Sequence, residues 1–276
     1  MTFEPEQLGQ SKTDLAEKIR DLRKRAGLTG DRLAKRCNMS QSQISKFETG
    51  KKTPTLVDVE RILRALDAPP ELVMEITALA RIANTEWQDK RSSWRRGMEK
   101  RQTELASLES KATELRYFLP AMITGLLATP EYIRASLSHT PGDPSKTITR
   151  KLERQAVLYD MAKEFTFLFT EQAVRWAVVQ HSALAVQIDH LTSLSRLPNI
   201  RIGVIPIGAV IPRGPMNTFT VYDKRLATVE NFTGRMVFRD PRDISEYLAV
   251  FTSFERHALF GDAARELLEQ CADHYR

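Results

Sequence analysis

Cysteine is scarce in this sequence: its 276 residues include two, Cys37 and Cys271. The two lie far apart and form neither a Cys-x-x-Cys pair nor a Cys/His pattern of the kind that holds zinc. A disulfide-stapled fold needs several cysteines at regular spacings, so the sequence excludes that class. We interpret both residues as reduced, incidental thiols.

Long apolar runs are also missing. No run approaches the roughly 18 apolar residues that a membrane-spanning helix needs. The N-terminal stretch MTFEPEQLGQ lacks the basic-then-apolar order of a secretory signal. Hydrophobic residues make up 42% of the chain and charged residues 28%, as in soluble globular proteins. We therefore expect a cytoplasmic protein without a membrane partner.

Motifs for catalysis are absent too. The sequence contains no Gly-x-Ser-x-Gly elbow, P-loop or Gly-x-Gly-x-x-Gly pattern. Its histidines show no metal-binding spacing with acidic neighbours; they are His139, His181, His190, His257 and His274. We predict a protein that is not an enzyme and that uses no cofactor or metal.

Positive charge is unevenly distributed. Residues 1–101 contain 21 Lys and Arg against 15 Asp and Glu, whereas residues 102–276 contain 20 of each. The formal net charge of +6 therefore belongs to the first third of the chain. This asymmetry favours a polyanionic partner for that part of the chain. The alternative interpretation is a basic surface that contacts only solvent.

Short helical patterns follow one another along residues 11–84, which we interpret as the first domain. Leu15 and Ile19 stand at helical spacing, and Gly27 marks the end of that helix. Ser40 and Gln43 have the spacing of a capping box. These signals predict helices at 14–26, from 29, at 40–48, from 55 and at 71–83.

Asn38 marks a tight turn between the second and third of these helices, so the order is helix, turn, helix. Ala34 supplies the small side chain that steeply crossing helices need at their contact. Apolar residues expected to hold the crossing angle are Leu33, Met39, Ile44 and Phe47. The outer face of the third helix carries groups suited to base edges in the major groove: Gln41, Ser42, Ser45 and Lys46.

Residues 19–54 resemble the Cro/CI-type (XRE) helix-turn-helix. The likeness rests on the segments IRDLRKRAGLT, RLAKRCNMS, QISKFETG and KKTP. It implies an all-α five-helix domain that binds double-stranded DNA, usually as a homodimer, and reads the major groove with the helix at 40–48. Base contacts implied by the resemblance are Gln41, Ser42 and Lys46.

The resemblance also implies other roles. Backbone contacts would be made by Gly30, Arg32, Gln43, Ser45, Lys51 and Lys52. For Gln43, a capping role is the competing interpretation. Arg23 and Glu48 match a buried ion pair that joins the first helix to the third. Gly30 is a departure, because the family usually has a phosphate-binding Gln there, and we expect Arg32 or Lys35 to compensate.

Residues 85–101 read as a basic connector that contains Trp87 and Trp94. The connector either touches the DNA backbone or is a hinge whose tryptophans dock on a neighbouring domain. Residues 102–276 predict a larger α+β domain with a small antiparallel or mixed sheet. Helices are expected at 102–117, 131 onwards, 151–163, 171–178, 182–196, 244–254 and 263–271. Strands are expected at 165–169, 200–207, 218–222, 227–230 and 236–238.

This second region resembles the C-terminal domain of unknown function of WhiJ-like actinobacterial regulators. The segments GLLATPEY, TEQAVRW, IRIGVIP, FTVYD and ATVEN carry the likeness, with departures at Ala128, Thr170 and Thr228. It implies a transcription factor for development or secondary metabolism that acts with a small partner protein.

Glu109 and Glu230 stand in apolar surroundings. We interpret them as candidate pocket residues, and the alternative is that each pairs with an arginine such as Arg116 or Arg134.

The leading hypothesis is a dimeric DNA-binding transcriptional regulator, controlled through its C-terminal domain by a small acidic protein or a small-molecule effector. Two alternatives stay open. One is an antitoxin-like interaction protein that neutralises the product of a neighbouring gene and represses its own operon. The other is a small-molecule-sensing repressor. No residue set in the sequence names a ligand.

Overall fold

The computed structural model describes residues 7–89, 98–140 and 142–276. The chain divides into two compact units. Unit 1 comprises Met1–Trp87 and Met236–Asp243, and unit 2 comprises Gln88–Arg235 and Ile244–Arg276. Eight residues from late in the chain therefore belong with the N-terminal helices.

Residues 7–84 of unit 1 form five helices, which confirms the all-α fold expected for the N-terminal domain. They are α1 (Gln7–Arg25), α2 (Gly30–Cys37), α3 (Gln41–Glu48), α4 (Leu56–Ala65) and α5 (Pro70–Asn84). Each presents an apolar face to one core, because its apolar residues recur at helical spacing. The core includes Leu15, Ile19, Leu33, Ala34, Ile44, Phe47, Leu56, Val59, Ile62, Leu63, Ile76 and Ala80.

The helices start where side chains cap them. Thr29, Ser40 and Thr55 precede α2, α3 and α4, and each side-chain oxygen accepts a hydrogen bond from the backbone N–H three residues later. These bonds satisfy donors that a helix start leaves without intrahelical partners. The reciprocal capping box is seen at Thr55 and Asp58, whereas at Ser40 the bond described is the one from the Gln43 N–H.

Unit 2 combines helices with a sheet, as expected for the C-terminal domain. Its helices are α6 (Met98–Lys111), α7 (Pro130–Ser136), α8 (Ser145–Arg154), α9 (Glu171–Arg175), α10 (His181–Leu194), α11 (Pro241–Glu255) and α12 (Gly261–Asp273). A 3₁₀ turn covers Gln155–Tyr159. Helix α6 packs on α8, and α10 packs on α12. The first three residues of α11 belong to unit 1.

The sheet is mixed. Its strands are β1 (Thr85–Asp89), β2 (Glu114–Leu119), β3 (Glu164–Thr170), β4 (Ile200–Ile205), β5 (Thr218–Tyr222), β6 (Leu226–Glu230) and β7 (Gly234–Phe238), in the order β1-β7-β6-β5-β2-β3-β4. Strand β3 pairs in parallel with β2 and β4, and β5 pairs antiparallel with β2 and β6. Strands β1 and β7 are each divided between the two units.

Two predicted helices differ from the observed elements. The helix expected over 102–117 ends at Lys111, because Leu115 and Tyr117 are buried at every second position and form a strand. The helix expected over 151–163 instead spans Ser145–Arg154 and gives way to the 3₁₀ turn. There the Gln155 amide donates to two backbone carbonyl oxygens outside the helix, those of Gly125 and Ala128.

The predicted connector contributes to two elements: residues 85–89 form β1 and residues 98–101 open α6. Residues 90–97, which include Trp94, lie outside the described residues, as does the side chain of Trp87. The two roles considered for the connector, contact with the DNA backbone or a hinge whose tryptophans dock on a neighbouring domain, stay predictions.

Candidate nucleic-acid interface

The contact between α2 and α3 fixes the geometry of the candidate interface. Asn38 adopts the left-handed conformation, with φ of 54°, and the Met39 N–H donates to the Ala34 carbonyl at 2.9 Å. Asn tolerates this conformation better than most residues, so the turn takes only a few residues. Ala34 is 2% exposed, and Ile44 and Phe47 of α3 are fully buried. The position of α3 is therefore set by packed side chains.

The opposite face of α3 is polar and open. Gln41, Ser42, Ser45 and Lys46 are all exposed, whereas Gln43 is half-buried beside the cap at Ser40. A helix with donors and acceptors on its free face, starting at an open end, suits the width and chemistry of the major groove. The structure thus brings the three predicted base-contacting residues onto one face.

Basic and backbone groups flank this face. Arg32 on α2 is exposed, and so are Lys51 and Lys52 in the loop after α3. That loop folds back on α3, because the Lys52 N–H donates to the Lys46 carbonyl at 3.1 Å. The Lys52 ammonium also lies 5.6 Å from the centre of the Phe47 ring. Positive side chains in such positions are suited to contacting phosphates on either side of a groove.

Gly30, the first residue of α2, stands next to the start of α3. A Cβ added at Gly30 would lie 3.8 Å from the Nε2 atom of Gln41, which is ordinary van der Waals contact. A side chain is therefore sterically tolerated there. The two helix starts are close enough for residue 30 to influence the Gln41 side chain.

Arg23 and Glu48 form a bidentate ion pair. Arg23 Nε and Nη2 donate to the two carboxylate oxygens of Glu48 at 2.6 and 2.8 Å, and Nη1 donates to the Leu28 carbonyl at 2.8 Å. The hydrogen bond to Glu48 raises the pKa of Arg23 above its ordinary value, against the opposing effect of burial. These contacts join the end of α1 to the end of α3.

Two contacts in unit 1, made by Asp240 and Arg242, are not predicted from the sequence. Asp240 is 1% exposed, and its carboxylate accepts the Leu56 N–H at the start of α4 at 2.9 Å. Arg242 donates to both carboxylate oxygens of Glu60 at 2.6 and 2.7 Å. Local patterns hold no signal for either contact, because the partners are more than 180 residues apart in the chain.

Glu109 and Glu230 both fall in unit 2, and each lies against an arginine. Glu109 is 1% exposed, and its Oε2 lies 2.9 Å from Nε of Arg154. Glu230 lies 3.0 Å from Arg101. The arginines predicted from sequence as alternative partners are the wrong ones: Arg116 pairs with Glu114 and Arg134 with Glu131. Packing between elements that are distant in sequence decides these pairs: α8 packs on α6 at Glu109, and α6 meets β6 at Glu230.

A cleft of about 520 Å³ lies elsewhere in unit 2, and neither glutamate is among its lining residues. Its walls include Arg196, Leu197, Ile200, Arg201, Phe260 and Arg265. Arg201 pairs with Glu255 at 3.1 Å, and Arg265 pairs with Asp262 at 2.5 Å. Two of its three arginines therefore already have acidic partners.

Two other kinds of site have no candidate in the parts of the chain that the structure describes. No group of three His, Cys, Asp or Glu side chains is placed there to hold a metal ion. No described helix is both long enough and apolar enough to cross a membrane.

The fold of unit 1 and the open polar face of α3 define a DNA-binding protein of the helix-turn-helix class. Residues 14–76 match the family model described as a helix-turn-helix domain. Residues 102–270, more than half of the chain, match the model described as a domain of unknown function, DUF5753. The chain therefore belongs to the DUF5753 family.

Similarity to one solved structure is weak. Among solved structures, the chain is similar to TrmBL2, an archaeal chromatin protein described as showing a novel mode of DNA binding. The identity is 9% and the TM-score 0.32, with 78% of this chain and 68% of that one covered. A likeness at this level carries no argument about function. No curated protein matches the chain.

Proposed function

We propose that this protein is a sequence-specific transcriptional regulator that binds double-stranded DNA and inserts α3 into the major groove. The observation that carries the proposal is the division of α3 into two faces. Ile44 and Phe47 are fully buried, whereas Gln41, Ser42 and Lys46 are exposed on the other side. A short helix that follows a tight turn, like that at Asn38, and is packed across the preceding helix has the arrangement of helix-turn-helix proteins, whose second helix lies in the major groove.

The exposed residues divide into two groups by chemistry. Gln41, Ser42 and Lys46 contact base edges: Gln suits adenine, Lys suits guanine, and Ser suits either. The backbone group consists of Gly30, Arg32, Gln43, Ser45, Lys51 and Lys52. Its members set register on the duplex but carry no sequence information directly. Gln43 is half-buried beside the cap and its N–H donates to Ser40, so its side-chain amide makes the contact.

Two copies bind one operator in this proposal. Helix α3 has eight residues, so one copy reads only a few base pairs. A homodimer doubles the site, with half-sites one helical turn, about 34 Å, apart. The basic excess of the first third of the chain gives each copy an electrostatic attraction to the duplex.

Unit 2 is the regulatory part in this proposal, responding to a small partner protein or a small molecule. The resemblance to XRE-type and WhiJ-like regulators supports such a division of labour. An antitoxin-like role is the other outcome to be tested, and it requires that a small acidic protein encoded beside this gene co-purifies with the chain.

Selection of bound DNA from a random pool tests the function. Gln41→Ala and Lys46→Ala are expected to relax base preference at particular positions, each by about 1–3 kcal/mol of discrimination. Lys51→Gln is expected to weaken binding evenly across sequences. Gln270→Ala, at an exposed position of α12, is the control and should change neither. Unchanged site selection in both the Gln41 and Lys46 variants would contradict the assignment of α3 as the reading helix.

A further inference from the structure

Unit 2 contains a group of cations that its carboxylates only partly neutralise. We call it the basic cluster: Arg101 on α6, Lys151 and Arg154 on α8, and Arg235 on β7. The side chain of Arg235 is 2% exposed and that of Arg154 is 7% exposed. Groups held this far from water need counter-ions or hydrogen-bond acceptors, because their hydration is removed.

Two members of the cluster have close acidic partners. Arg101 lies 3.0 Å from Glu230, and Arg154 lies 2.9 Å from Glu109. The second pair is a close contact without the alignment of a hydrogen bond, since Arg154 Nε and Glu109 Oε2 are both buried and neither has a hydrogen-bond partner. These two pairs use the carboxylates of Glu109, which is 1% exposed, and of Glu230, whose side chain is 41% exposed.

The other two cations lack such partners among the described residues. Arg235 Nε donates to the Gln88 amide oxygen at 3.1 Å, but an amide supplies no negative charge. Its nearest carboxylate oxygen, on the exposed Glu104, is 3.9 Å away, and its Nη1 is buried without any hydrogen-bond partner. For Lys151, no carboxylate oxygen in the described part of the chain comes within ion-pair distance. Buried donors are rarely left unsatisfied in folded proteins.

The electrostatic environment agrees with this geometry. Burial, together with the charges of Arg154 and Arg101, lowers the pKa of Lys151 to about 8, although Glu230 acts in the opposite direction. Burial would raise the pKa of Glu230, but Arg101 and Arg235 hold it below its usual range. The site therefore favours negative charge.

We propose that Lys151 and Arg235 form the binding site of a small molecule that carries a phosphate or carboxylate group. Arg235 lies 3.9 Å from Glu104, which is one turn from Arg101 on α6. Lys151 is one turn from Arg154 on α8, and α8 packs on α6. An anionic group between them supplies the missing acceptor for Arg235 Nη1 and the missing counter-charge for Lys151. The idea that this ligand is the effector rests on the proposed function, whereas its binding is measured on DNA-free protein.

Thermal unfolding of the full chain is the test, with inorganic phosphate or acetate as the probe and chloride at equal ionic strength as the reference. Phosphate, acetate or both are expected to raise Tm saturably, by several degrees once the probe is about 100-fold above its Kd. The two probes distinguish a phosphate from a carboxylate ligand.

The variant Lys151→Met tests whether the probe binds at this site or elsewhere on the protein. Removing an uncompensated cation is expected to raise Tm without any probe and to abolish the probe-induced rise. Arg235→Lys keeps the charge but has fewer donors, so it should weaken probe binding roughly tenfold. Lys224→Met makes the same change of charge at an exposed position and should alter neither quantity.

Three results would overturn the proposal. One is a Tm that neither probe raises. Another is a rise that persists in Lys151→Met. The third is a rise that disappears in Lys51→Gln/Lys52→Gln, which would place the anion on the DNA-binding face, or in Arg201→Gln, which would place it in the cleft. A failure of DNA binding would leave all of these measurements unchanged.

Discussion

At the scale of single residues, the contact between Arg23 and Glu48 is the one that ties α3 most directly to the rest of unit 1. Lysine lacks the planar fork that meets both carboxylate oxygens, so Arg23→Lys is expected to lower the free energy of unfolding by about 1–3 kcal/mol. Urea denaturation measures this decrease. A double-mutant cycle with Glu48→Gln gives the coupling energy, and coupling near zero would show that the pair contributes nothing specific.

This pair also shows what a sequence can predict. Both residues lie within a recognisable motif, so their pairing follows from the resemblance. The partner of Glu109 does not follow from any pattern, because Arg154 reaches it through the packing of α8 on α6. Residues inside a motif are therefore predictable, whereas charge pairs between distant elements depend on the assembled fold.

Gly30 gives a second prediction at this scale. Gly30→Gln is expected to raise affinity for operator DNA, because the new amide can donate to a phosphate and the site has room beside Gln41. The salt dependence of binding should stay the same, since a neutral side chain releases no counter-ion. Filter binding over a series of salt concentrations measures both quantities.

Gly30→Ala is the matched control for that experiment. Alanine, like glutamine, removes the unfavourable helix propensity of glycine, which is about 1 kcal/mol, but alanine has no amide that could contact a phosphate. Equal affinities for the Ala and Gln variants would mean that helix stability, rather than a phosphate contact, accounts for any gain.

Glu109 makes stability depend on pH. Burial raises its pKa to about 7, although Arg154 and the Tyr117 hydroxyl oppose this rise. The folded state then holds a proton that the unfolded chain releases near the ordinary pKa of 4.5. The free energy of unfolding should fall as pH rises from that value to about 7, by on the order of 3 kcal/mol.

Glu109→Gln should remove this slope, since an amide does not titrate. Urea denaturation at a series of pH values measures the difference between wild type and variant. Glu131→Gln, at an exposed carboxylate on α7, should leave the slope in place. A wild-type profile parallel to that of Glu109→Gln would show that Glu109 is ionised throughout.

At the scale of secondary-structure elements, α4 depends on a cap from another part of the chain. Thr55 and Asp58 cap each other in a local box, and Asp240 binds the next N–H, that of Leu56. Asp240→Ala leaves this buried donor unsatisfied and removes negative charge from a helix start. The free energy of unfolding should fall by about 1–3 kcal/mol.

Amide hydrogen exchange checks the mechanism of that destabilisation. The Leu56 amide should exchange faster in Asp240→Ala than in wild type, ahead of amides in the middle of α4. Glu246→Gln, an exposed carboxylate on α11, serves as the control. An unchanged exchange rate at Leu56 would mean that the carboxylate of Asp240 does not protect this helix start.

The helices and strands differ in how well local sequence patterns predict them. Helices α2 to α4 are predictable because each begins at a Ser or Thr cap and carries apolar residues at helical spacing. Local pattern wrongly predicts helix for strand β2, because its apolar residues continue the pattern of α6 without a turn residue such as Gly or Pro between them. The separation of α6 from β2 depends on pairing with β3 and β5, which no local signal reveals.

At the scale of the whole molecule, the charge distribution and the number of bound copies together set the salt dependence of DNA binding. Removing one Lys–phosphate interaction reduces the slope of log K against log salt by about 0.9. The Lys51→Gln/Lys52→Gln double variant should therefore reduce the slope by about 1.8 if one copy binds and by about 3.6 if two copies bind. Binding isotherms of the full chain on a fixed operator measure this slope, and Lys224→Gln provides the exposed-lysine control. A reduction near the smaller value would contradict the proposed homodimer, and no reduction would remove the loop after α3 from the interface.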